Sequence, residues 1–268
     1  MSRGTLQTVE WDPADYTANS SAQLAWAREQ IARLDLHGDE RILDVGCGDG
    51  RITAELASRV PRGMVVGVDS SPAMLAFARD AFPTRTHPNL EFRAMDARQL
   101  HAGLPFDLIF SNAVLHWVDD HPAFVRAAAG CLRSGGRLVA SCGGKGNARE
   151  VFAVLRATMR MKRWRPFFRR VQAPYFFHSP EEYERWFPRY GFRSLQVRLV
   201  PRDTPFDRES LAAWLRTTWL PYTQRVPATA RREFVTEVVN RYLTRHYPDA
   251  AGQVFVRMVR LELEAQKL

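Results

Sequence analysis

The chain has 268 residues, enough to bury a substantial core in one large α/β domain or in one domain with an insertion. Its net charge of +9 fits an anionic partner but does not choose among a carboxylate, a phosphate and a nucleic acid. The 3 cysteines form no Cys-x-x-Cys pair and no apolar run approaches the roughly 18 residues of a membrane span, so we expect no disulfide framework, metal site or membrane segment, and a cytoplasmic location.

The first predicted element is a helix from Asp12 to Leu34, in which apolar residues recur at helical spacing. A short buried strand follows at 41–45 and ends at a glycine-rich turn, which leads into a helix over 52–60. The same order repeats with a strand at 64–68 and a helix over 73–81, which a proline just before it favours. Two consecutive strand–helix units predict parallel strands.

Further strands are predicted at 90–94, 106–110 and 137–141. Beyond residue 144, helical patterns dominate, and two alternating segments at 195–200 and 259–264 predict an antiparallel pair at one edge. The pattern therefore predicts an α/β protein with a doubly wound, mostly parallel seven-stranded sheet, an antiparallel edge strand and a helical lid insertion. The helices predicted in the second half cover 179–190, 208–218 and 228–246.

The most informative feature is the turn after the first strand, where Gly46, Gly48 and Gly50 alternate with other residues. Glycine lets the backbone approach a ligand because it has no Cβ and tolerates positive φ. A dinucleotide site has Gly-x-Gly-x-x-Gly instead, with a pyrophosphate at the helix N-terminus. Here Asp44 precedes the turn, and its carboxylate suits a ligand ammonium group better than a phosphate. A turn with only a structural role is the alternative.

A second acidic residue, Asp69, ends the second strand 19 residues after Gly50. In dinucleotide folds a carboxylate at this place accepts hydrogen bonds from ribose hydroxyls, and the same geometry serves other ligands that contain a ribose. The alternative for Asp69, and for Asp96 after the third strand, is an acid that caps the following helix.

The segment from Leu43 to Gly50 resembles the first motif of the class I S-adenosylmethionine (SAM)-dependent methyltransferases. Asp69, Asp96 and Asn112 lie where later motifs of that family fall. The resemblance covers residues 38–142 and implies a Rossmann-like fold, with SAM as the cofactor and S-adenosylhomocysteine as the product.

The resemblance also implies roles for single residues. Asp96 and Ala97 would contact the adenine edge, Met74 would pack near the adenosine, and Asn112 would line the methyl-transfer pocket. The expected cofactor contacts are Tyr16, Asp44, Gly46, Gly48, Gly50, Asp69, Ser70, Met74, Asp96, Ala97 and Asn112.

A narrower resemblance links the chain to the trans-aconitate methyltransferase branch, whose members esterify small carboxylates. It rests on the helix that contains Tyr16, on the run from Asn112 to Trp117 and on the helical segments of the second half. It implies that Tyr16 and Gln23 close over the cofactor. The implied parts of a single methyltransferase domain, 1–268, are an N-terminal helical lid at 1–36, a SAM-binding core at 38–142, and substrate-covering helical segments at 145–190 and 205–250.

His116, after the fourth strand, is the expected catalytic residue. The sequence leaves open whether it contacts the substrate, acts as a base or is only hydrogen-bonded to the backbone. The aromatic residues of the second half either wall an apolar pocket or belong to the core. The expected substrate contacts are Gln23, His116, Trp117, Trp164, Trp219 and Tyr222.

The run 162–170 mixes basic with aromatic residues and has three interpretations: a solvated face or lid, a clamp for a carboxylate or phosphate, and, least favoured, nucleic-acid contact. The order Ser111-Asn112-Ala113-Val114 departs from the Asn/Asp-Pro-Pro-Tyr/Phe run typical of enzymes that methylate base amino groups. We therefore predict a monomeric or homodimeric methyltransferase for a small anionic or apolar molecule, a carboxylate being one candidate. The alternatives are a nucleic-acid methyltransferase, an O-, N- or C-methyltransferase of secondary metabolism, and a SAM-binding protein without catalysis.

Overall fold

The computed structural model describes residues 11–101, 103–169, 171 and 174–268, which pack as two compact units. The sheet unit comprises residues 11–145, 175–200 and 260–268, and the helical unit comprises the described residues of 146–174 and 201–259. No helix in this described part of the chain is long and apolar enough to cross a membrane. Residues 1–10 of the expected lid lie outside the described residues, and the assignment of 1–268 to one domain stays a prediction.

The described residues form one seven-stranded sheet, built from β1 (Arg41–Val45), β2 (Met64–Asp69), β3 (Leu90–Ala94), β4 (Phe106–Asn112), β5 (Leu132–Gly143), β6 (Phe192–Phe206) and β7 (Val254–Lys267). The strand order is β3-β2-β1-β4-β5-β7-β6. Pairing is parallel from β3 to β5 and antiparallel between β5 and β7. This confirms the predicted doubly wound, mostly parallel sheet with antiparallel strands at one edge.

The centre of the parallel part is β1, where Leu43 lies opposite Val66 of β2 and Ile109 of β4. Successive residues of a strand face opposite sides of the sheet, so Ile42 and Leu43 belong to two different apolar clusters, one on each face. Helices cover both faces of such a sheet, which explains why the residues of β1 other than Arg41 and Asp44 are apolar.

The helices in the described residues are α1 (Pro13–Asn19), α2 (Ser21–Ile31), α3 (Arg51–Arg59), α4 (Pro72–Ala81), α5 (His121–Cys131), α6 (Arg149–Met159), α7 (Pro180–Arg189), α8 (Arg208–Thr218), α9 (Leu220–Thr223) and α10 (Ala228–Arg245). Short 3-10 turns lie at Ala97–Gln99, Leu115–Trp117 and Arg165–Phe168. The Asp12 side chain caps α1, and that of Asp120 caps α5, each by accepting a backbone N–H of the first turn.

The predicted helix from Asp12 to Leu34 is instead two helices, α1 and α2. Ser20 leaves the helical conformation, with φ −103° and ψ 24°, and its hydroxyl accepts a hydrogen bond from Arg51 Nη2 at 2.6 Å. The break therefore ties the N-terminal segment to the glycine turn. Apolar periodicity could not reveal it, because the cause is a contact with a residue 31 positions away.

The second half differs from the prediction in extent rather than in kind. β6 spans 15 residues and β7 spans 14, far more than the short alternating cores that the pattern marked. Charged residues on both faces of β6 hide its period, as is typical of an edge strand. The helix predicted over 179–190 is α7 and belongs to the sheet unit. In the helical unit, α6 and α8 each pack against α10.

Candidate active site

The glycine turn after β1 holds three glycines at positive φ: +76° at Gly46, +53° at Gly48 and +84° at Gly50. A Cβ on Gly46 would overlap the Val114 side chain, and one on Gly50 would lie 2.8 Å from Phe92 Cζ. These two positions are therefore packed against protein. At Gly48 the nearest atom would be Tyr16 Cε1 at 3.9 Å, so this backbone faces open space.

Asp69, at the end of β2, holds two loops together. Its Oδ2 accepts the Gly48 N–H at 3.0 Å, and its Oδ1 accepts the Ser71 N–H at 2.8 Å. Burial raises the pKa of Asp69 above its ordinary value, although the backbone N–H bonds oppose this. The carboxylate also keeps lone pairs for a further donor, since each oxygen can accept more than one hydrogen bond. The local turn role and a ligand role are thus compatible.

Asp44 is a buried carboxyl beneath the same turn. Only 2% of its surface is exposed, and its Oδ2 accepts a hydrogen bond from Thr53 Oγ1 at 2.7 Å. Burial raises its pKa from 3.8 to about 7; the Thr53 bond lowers the pKa, and the neighbouring Asp69 and Asp49 carboxylates raise it further. A cationic group of a ligand would reverse this shift.

A cavity of about 420 Å³ opens beside the turn. Five of the eleven expected cofactor residues line this cavity, namely Tyr16, Asp44, Gly46, Gly48 and Asn112. Gln23, an expected substrate contact, lines it as well. The cavity is lined by Tyr16, Ser20, Gln23, Leu24, Asp44, Gly46, Cys47, Gly48, Asp49, Arg51, Ile52 and Asn112. Gly50, which packs against Phe92, does not line it.

Asn112 connects the N-terminal helices to the end of the sheet. Its Nδ2 donates to the Gln23 backbone oxygen at 3.0 Å, and its Oδ1 accepts from Ser141 Oγ at 2.9 Å. Both ends of the amide are therefore engaged. This arrangement fixes α2 over the cavity and brings Gln23 to its wall through the backbone.

Asp49 is a site residue that sequence reasoning missed. It is 5% exposed, and its Oδ2 accepts from Thr17 Oγ1 at 2.9 Å and from Arg51 Nε at 2.7 Å. Together with the Arg51–Ser20 bond, this links α1 to the turn. The available signal in the sequence was an acidic residue inside the glycine turn with Arg51 two positions after it. Burial and the nearby Asp49 also raise the pKa of Tyr16.

The remaining expected cofactor residues lie outside this cavity. Asp96 caps the 3-10 turn after β3 and pairs with Arg98 at 2.6 Å, which lowers the pKa of its carboxyl. Met74 is 3% exposed within α4, and Ser70 is exposed beside it. Contacts from these residues and from Ala97 to a nucleoside stay predictions.

His116 lies in the 3-10 turn after β4, and a hydrogen bond from the backbone sets the tautomer of its ring. The Gly143 N–H donates to Nδ1 at 3.2 Å. Burial lowers the pKa of His116 from 6.5 to about 4, so the ring is neutral at neutral pH. Because Nδ1 is the acceptor, the ring proton lies on Nε2, and the side chain is a hydrogen-bond donor.

Six half-buried rings form a continuous surface, here called the aromatic surface: Trp11, Tyr16, His116, Trp117, Tyr175 and Phe177. Trp11 contacts Tyr16 at a centroid distance of 5.6 Å and Trp117 at 5.3 Å. Trp117 in turn lies 4.8 Å from Tyr175. The surface therefore runs from the glycine turn to the end of β4, where we expected His116 and Trp117.

Tyr175 and Phe177 were not expected from the sequence. Their rings are parallel within 3° at 5.7 Å, and they lie 6.0 Å and 6.1 Å from the His116 ring. The Phe176 N–H donates to the His116 backbone oxygen at 2.9 Å. The only signal in the sequence was the run of three consecutive aromatic residues at 175–177, which lies in no helix or strand.

The other expected substrate residues belong to the helical unit. Trp164 is 2% exposed and packs edge-on against Phe234 at 5.2 Å. Trp219 is 3% exposed and lies 4.3 Å from Phe152. Tyr222 is 6% exposed. This packing matches the core alternative that the sequence left open, and a substrate contact from any of the three stays a prediction.

The basic run of the helical unit is partly neutralised. Arg163 pairs with Glu233 and lies over the Trp164 ring at 4.6 Å. Both partners of the ion pair are more than half exposed, as a solvated face predicts. Arg170, the last residue of the expected run, lies outside the described residues.

Comparisons with known proteins agree with the sheet and the turn. A family model described as a methyltransferase domain matches residues 42–136. The chain is 30% identical over 266 residues to the uncharacterized methyltransferase C70.08c of Schizosaccharomyces pombe, covering 96% of this chain and 98% of that relative. It is 30% identical over 264 residues to trans-aconitate 2-methyltransferase of Methylobacterium nodulans, covering 97% and 99%.

Among solved structures, the YcgJ protein of Bacillus subtilis superposes with a TM-score of 0.63 at 16% identity, covering 91% of this chain and 98% of that one. This similarity concerns the fold. The family is identified by the 30% sequence identity to methyltransferases over nearly the whole chain, by the matched domain model and by the glycine turn. The chain belongs to the class I SAM-dependent methyltransferases, and within them it resembles the trans-aconitate 2-methyltransferase branch.

Proposed function

We propose that the protein transfers a methyl group from SAM to a carboxylate oxygen of a small-molecule acid, forming a methyl ester. The observation that carries this proposal is the hydrogen bond that Nδ1 of His116, the expected catalytic residue, accepts from the Gly143 N–H. The name of the Methylobacterium relative, a trans-aconitate 2-methyltransferase, supports a carboxylate acceptor.

The cavity beside the glycine turn fits the cofactor. The backbone at Gly48 faces open space, and burial raises the pKa of the Asp44 carboxyl, a shift that a ligand cation would reverse. Asp44 would hold the ammonium group of the amino-acid end, and Asp69 would accept from the ribose hydroxyls. When bound, SAM supplies an electrophilic methyl group on a sulfonium.

His116 is unsuited to be a general base. A base must have a free nitrogen lone pair, but Nδ1 accepts the Gly143 N–H and Nε2 carries the proton. A hydroxyl or carbon acceptor needs a base, whereas a carboxylic acid is already ionised at neutral pH. His116 Nε2–H would therefore donate to the non-attacking oxygen of the carboxylate and orient the other oxygen toward the methyl group.

The remaining task is to exclude water and to hold the nucleophile. The half-buried rings of Trp117 and Tyr175 reduce hydration beside His116. A drier environment strengthens the Nε2–H···carboxylate bond and weakens the hydration shell of the nucleophile. No covalent intermediate with the protein is required, since positioning alone accounts for large rate factors in such displacements.

The test compares His116→Ala with His116→Gln, since the glutamine Nε2 can donate from nearly the same place as the histidine Nε2. With carboxylic acids as acceptors, we expect kcat/KM to fall about 30-fold in His116→Ala, as for loss of a hydrogen bond to a charged group, and to recover largely in His116→Gln. Both variants are measured with matched alcohols and amines as well. Activity on alcohols that both variants abolish, with esters never formed, would mean that His116 is a base and that the acceptor is not a carboxylate.

A further inference from the structure

We infer that the acid bound at this site carries one carboxylate on an apolar, ring-sized body that lies against Trp117, Tyr175 and Phe177, rather than the additional carboxylates of a tricarboxylic acid. The inference rests on the proposed function, because it assigns the body of the proposed acceptor. It concerns specificity, and none of the comparisons assigns it.

The aromatic surface is partly exposed to solvent. Each ring of the aromatic surface is half-buried, and none belongs to either apolar cluster of the sheet unit. Large core rings of the same unit, such as Tyr183 and Phe187, are fully buried. A contiguous set of partly exposed rings costs free energy in water unless something covers it, and such surfaces mark ligand or partner sites.

The aromatic surface extends from the glycine turn to His116. Tyr16 Cε1 is the nearest side-chain atom to the open space at Gly48, and the surface continues from Tyr16 through Trp11 and Trp117 to His116. The aromatic surface therefore begins at the proposed cofactor cavity and ends at His116, the proposed hydrogen-bond donor to the carboxylate. A molecule whose carboxylate reaches His116 would have its body along Trp117.

The charged side chains near the site also bear on how many carboxylates the acceptor carries. Every additional carboxylate of a substrate needs a cation or several donors once it leaves water. In the sheet unit, the arginines beside the turn and after β3 are already committed: Arg51 binds Asp49, and Arg98 binds both Asp96 and Asp119. Among the described residues, no arginine or lysine lies over the Trp117 ring, and Lys145, which follows β5, is exposed.

Two backbone hydrogen bonds hold the segment that carries Tyr175 and Phe177 in place. The Phe176 N–H donates to the His116 oxygen at 2.9 Å, and the His178 oxygen accepts from the Lys145 N–H at 2.9 Å. Residues i and i+2 of an extended segment share one side, which explains the parallel rings. Phe176 lies between them on the other side, so it provides a control of the same residue type in the same segment.

The experiment uses the full chain with three acids: trans-cinnamate, acrylate and trans-aconitate. Cinnamate is acrylate with a phenyl body, and aconitate carries further carboxylates instead. We expect kcat/KM for cinnamate to exceed that for acrylate by about 10- to 100-fold, the factor that burial of one aromatic group produces, and to exceed that for trans-aconitate by at least about 10-fold. Binding is also measured by calorimetry in the presence of S-adenosylhomocysteine, a readout that needs no turnover.

The variants are Tyr175→Ala and Phe177→Ala, with Phe176→Ala as the matched control. Each of the first two should raise KM and Kd for cinnamate about 10-fold while changing those for acrylate less than about 3-fold. Phe176→Ala should leave the cinnamate values near those of the parent. Preference for trans-aconitate, or equal effects of all three variants, overturns this inference alone. Absence of ester from every acid, with S-adenosylhomocysteine still bound, overturns the proposed function instead.

Discussion

Asp44→Asn should make the protein more stable and at the same time weaken cofactor binding. Asparagine has nearly the same shape, and its Oδ1 can still accept the Thr53 hydroxyl that bonds Asp44 at 2.7 Å. The substitution removes only the negative charge. That charge is buried, and among the described residues no cation offsets the rise of its pKa that burial causes.

The magnitude follows from the pKa shift. A rise from 3.8 to about 7 corresponds to about 4 kcal/mol at about 1.4 kcal/mol per pKa unit. The unfolded chain ionises near 3.8 and the folded chain near 7, so the folded state binds more protons between these values and the parent loses stability as pH rises through them. The free energy of unfolding of Asp44→Asn minus that of the parent should therefore grow by about 3 kcal/mol from pH 4.5 to 7.5.

Urea unfolding at several pH values measures this difference, and calorimetry measures the affinity for S-adenosylhomocysteine. We expect that affinity to fall about 100-fold, because the ligand ammonium group loses its charged partner. Asp107→Asn is the control: burial opposes ionisation there too, but the Arg41 N–H and Arg133 lower the pKa of Asp107 overall. Its stability loss should grow only as pH rises toward 3.8 and should stay constant from pH 4.5 to 7.5, whereas the Asp44→Asn difference grows across that range. A pH-independent difference for Asp44→Asn, or unchanged ligand affinity, would refute the reasoning.

Three further predictions concern the same unit. Asp69→Ala should weaken S-adenosylhomocysteine binding at least about 100-fold by calorimetry, since it removes the ribose acceptor and loosens the turn, and unchanged affinity would contradict this. Gly46→Ala should lower the free energy of unfolding by about 3 kcal/mol or more because of its positive φ and the overlap with Val114, whereas Gly103→Ala, with nothing within 4 Å, should be nearly neutral in the same urea assay. Burial and the charge of a nearby histidine lower the pKa of His121 from 6.5 to about 3, so its contribution to stability is present above pH 6.5 and is lost as pH falls toward 3; His121→Gln should flatten that dependence by up to about 1.4 kcal/mol per pH unit, and an unchanged slope would contradict the assignment.

The parallel part of the fold was predictable because its signals are local. The strand at 90–94 has the predicted bounds, and those at 41–45 and 64–68 differ by one residue at most. Buried parallel strands are short apolar runs between turn residues, and the positive φ at Gly46 and Gly50 marks turns that only glycine occupies comfortably. The position of Asp69 follows from the same topology, since the ends of neighbouring parallel strands meet at one edge.

The parts that sequence reasoning missed depend on distant contacts. The apolar periodicity does not show the helix break at Ser20, which is stabilised by Arg51 across the fold. Tyr175 and Phe177 lie in a segment without a regular element, so only its docking on His116 reveals their role in the surface. Trp164 was expected at the substrate site but packs against Phe234. The sequence of a basic and aromatic run is the same whether its aromatic residues line a pocket or pack in a core.

The identity of the methylated atom tests the central claim most directly. The protein is incubated with SAM labelled in its methyl group, with the three acids and with matched alcohols and amines, and the labelled product is identified by mass spectrometry before and after mild alkali. We expect a labelled methyl ester that alkali hydrolyses, with cinnamate the preferred acceptor and the product lost in Asp69→Ala. Label that alkali does not release, in an ether, an amine or a carbon–methyl product, would contradict it.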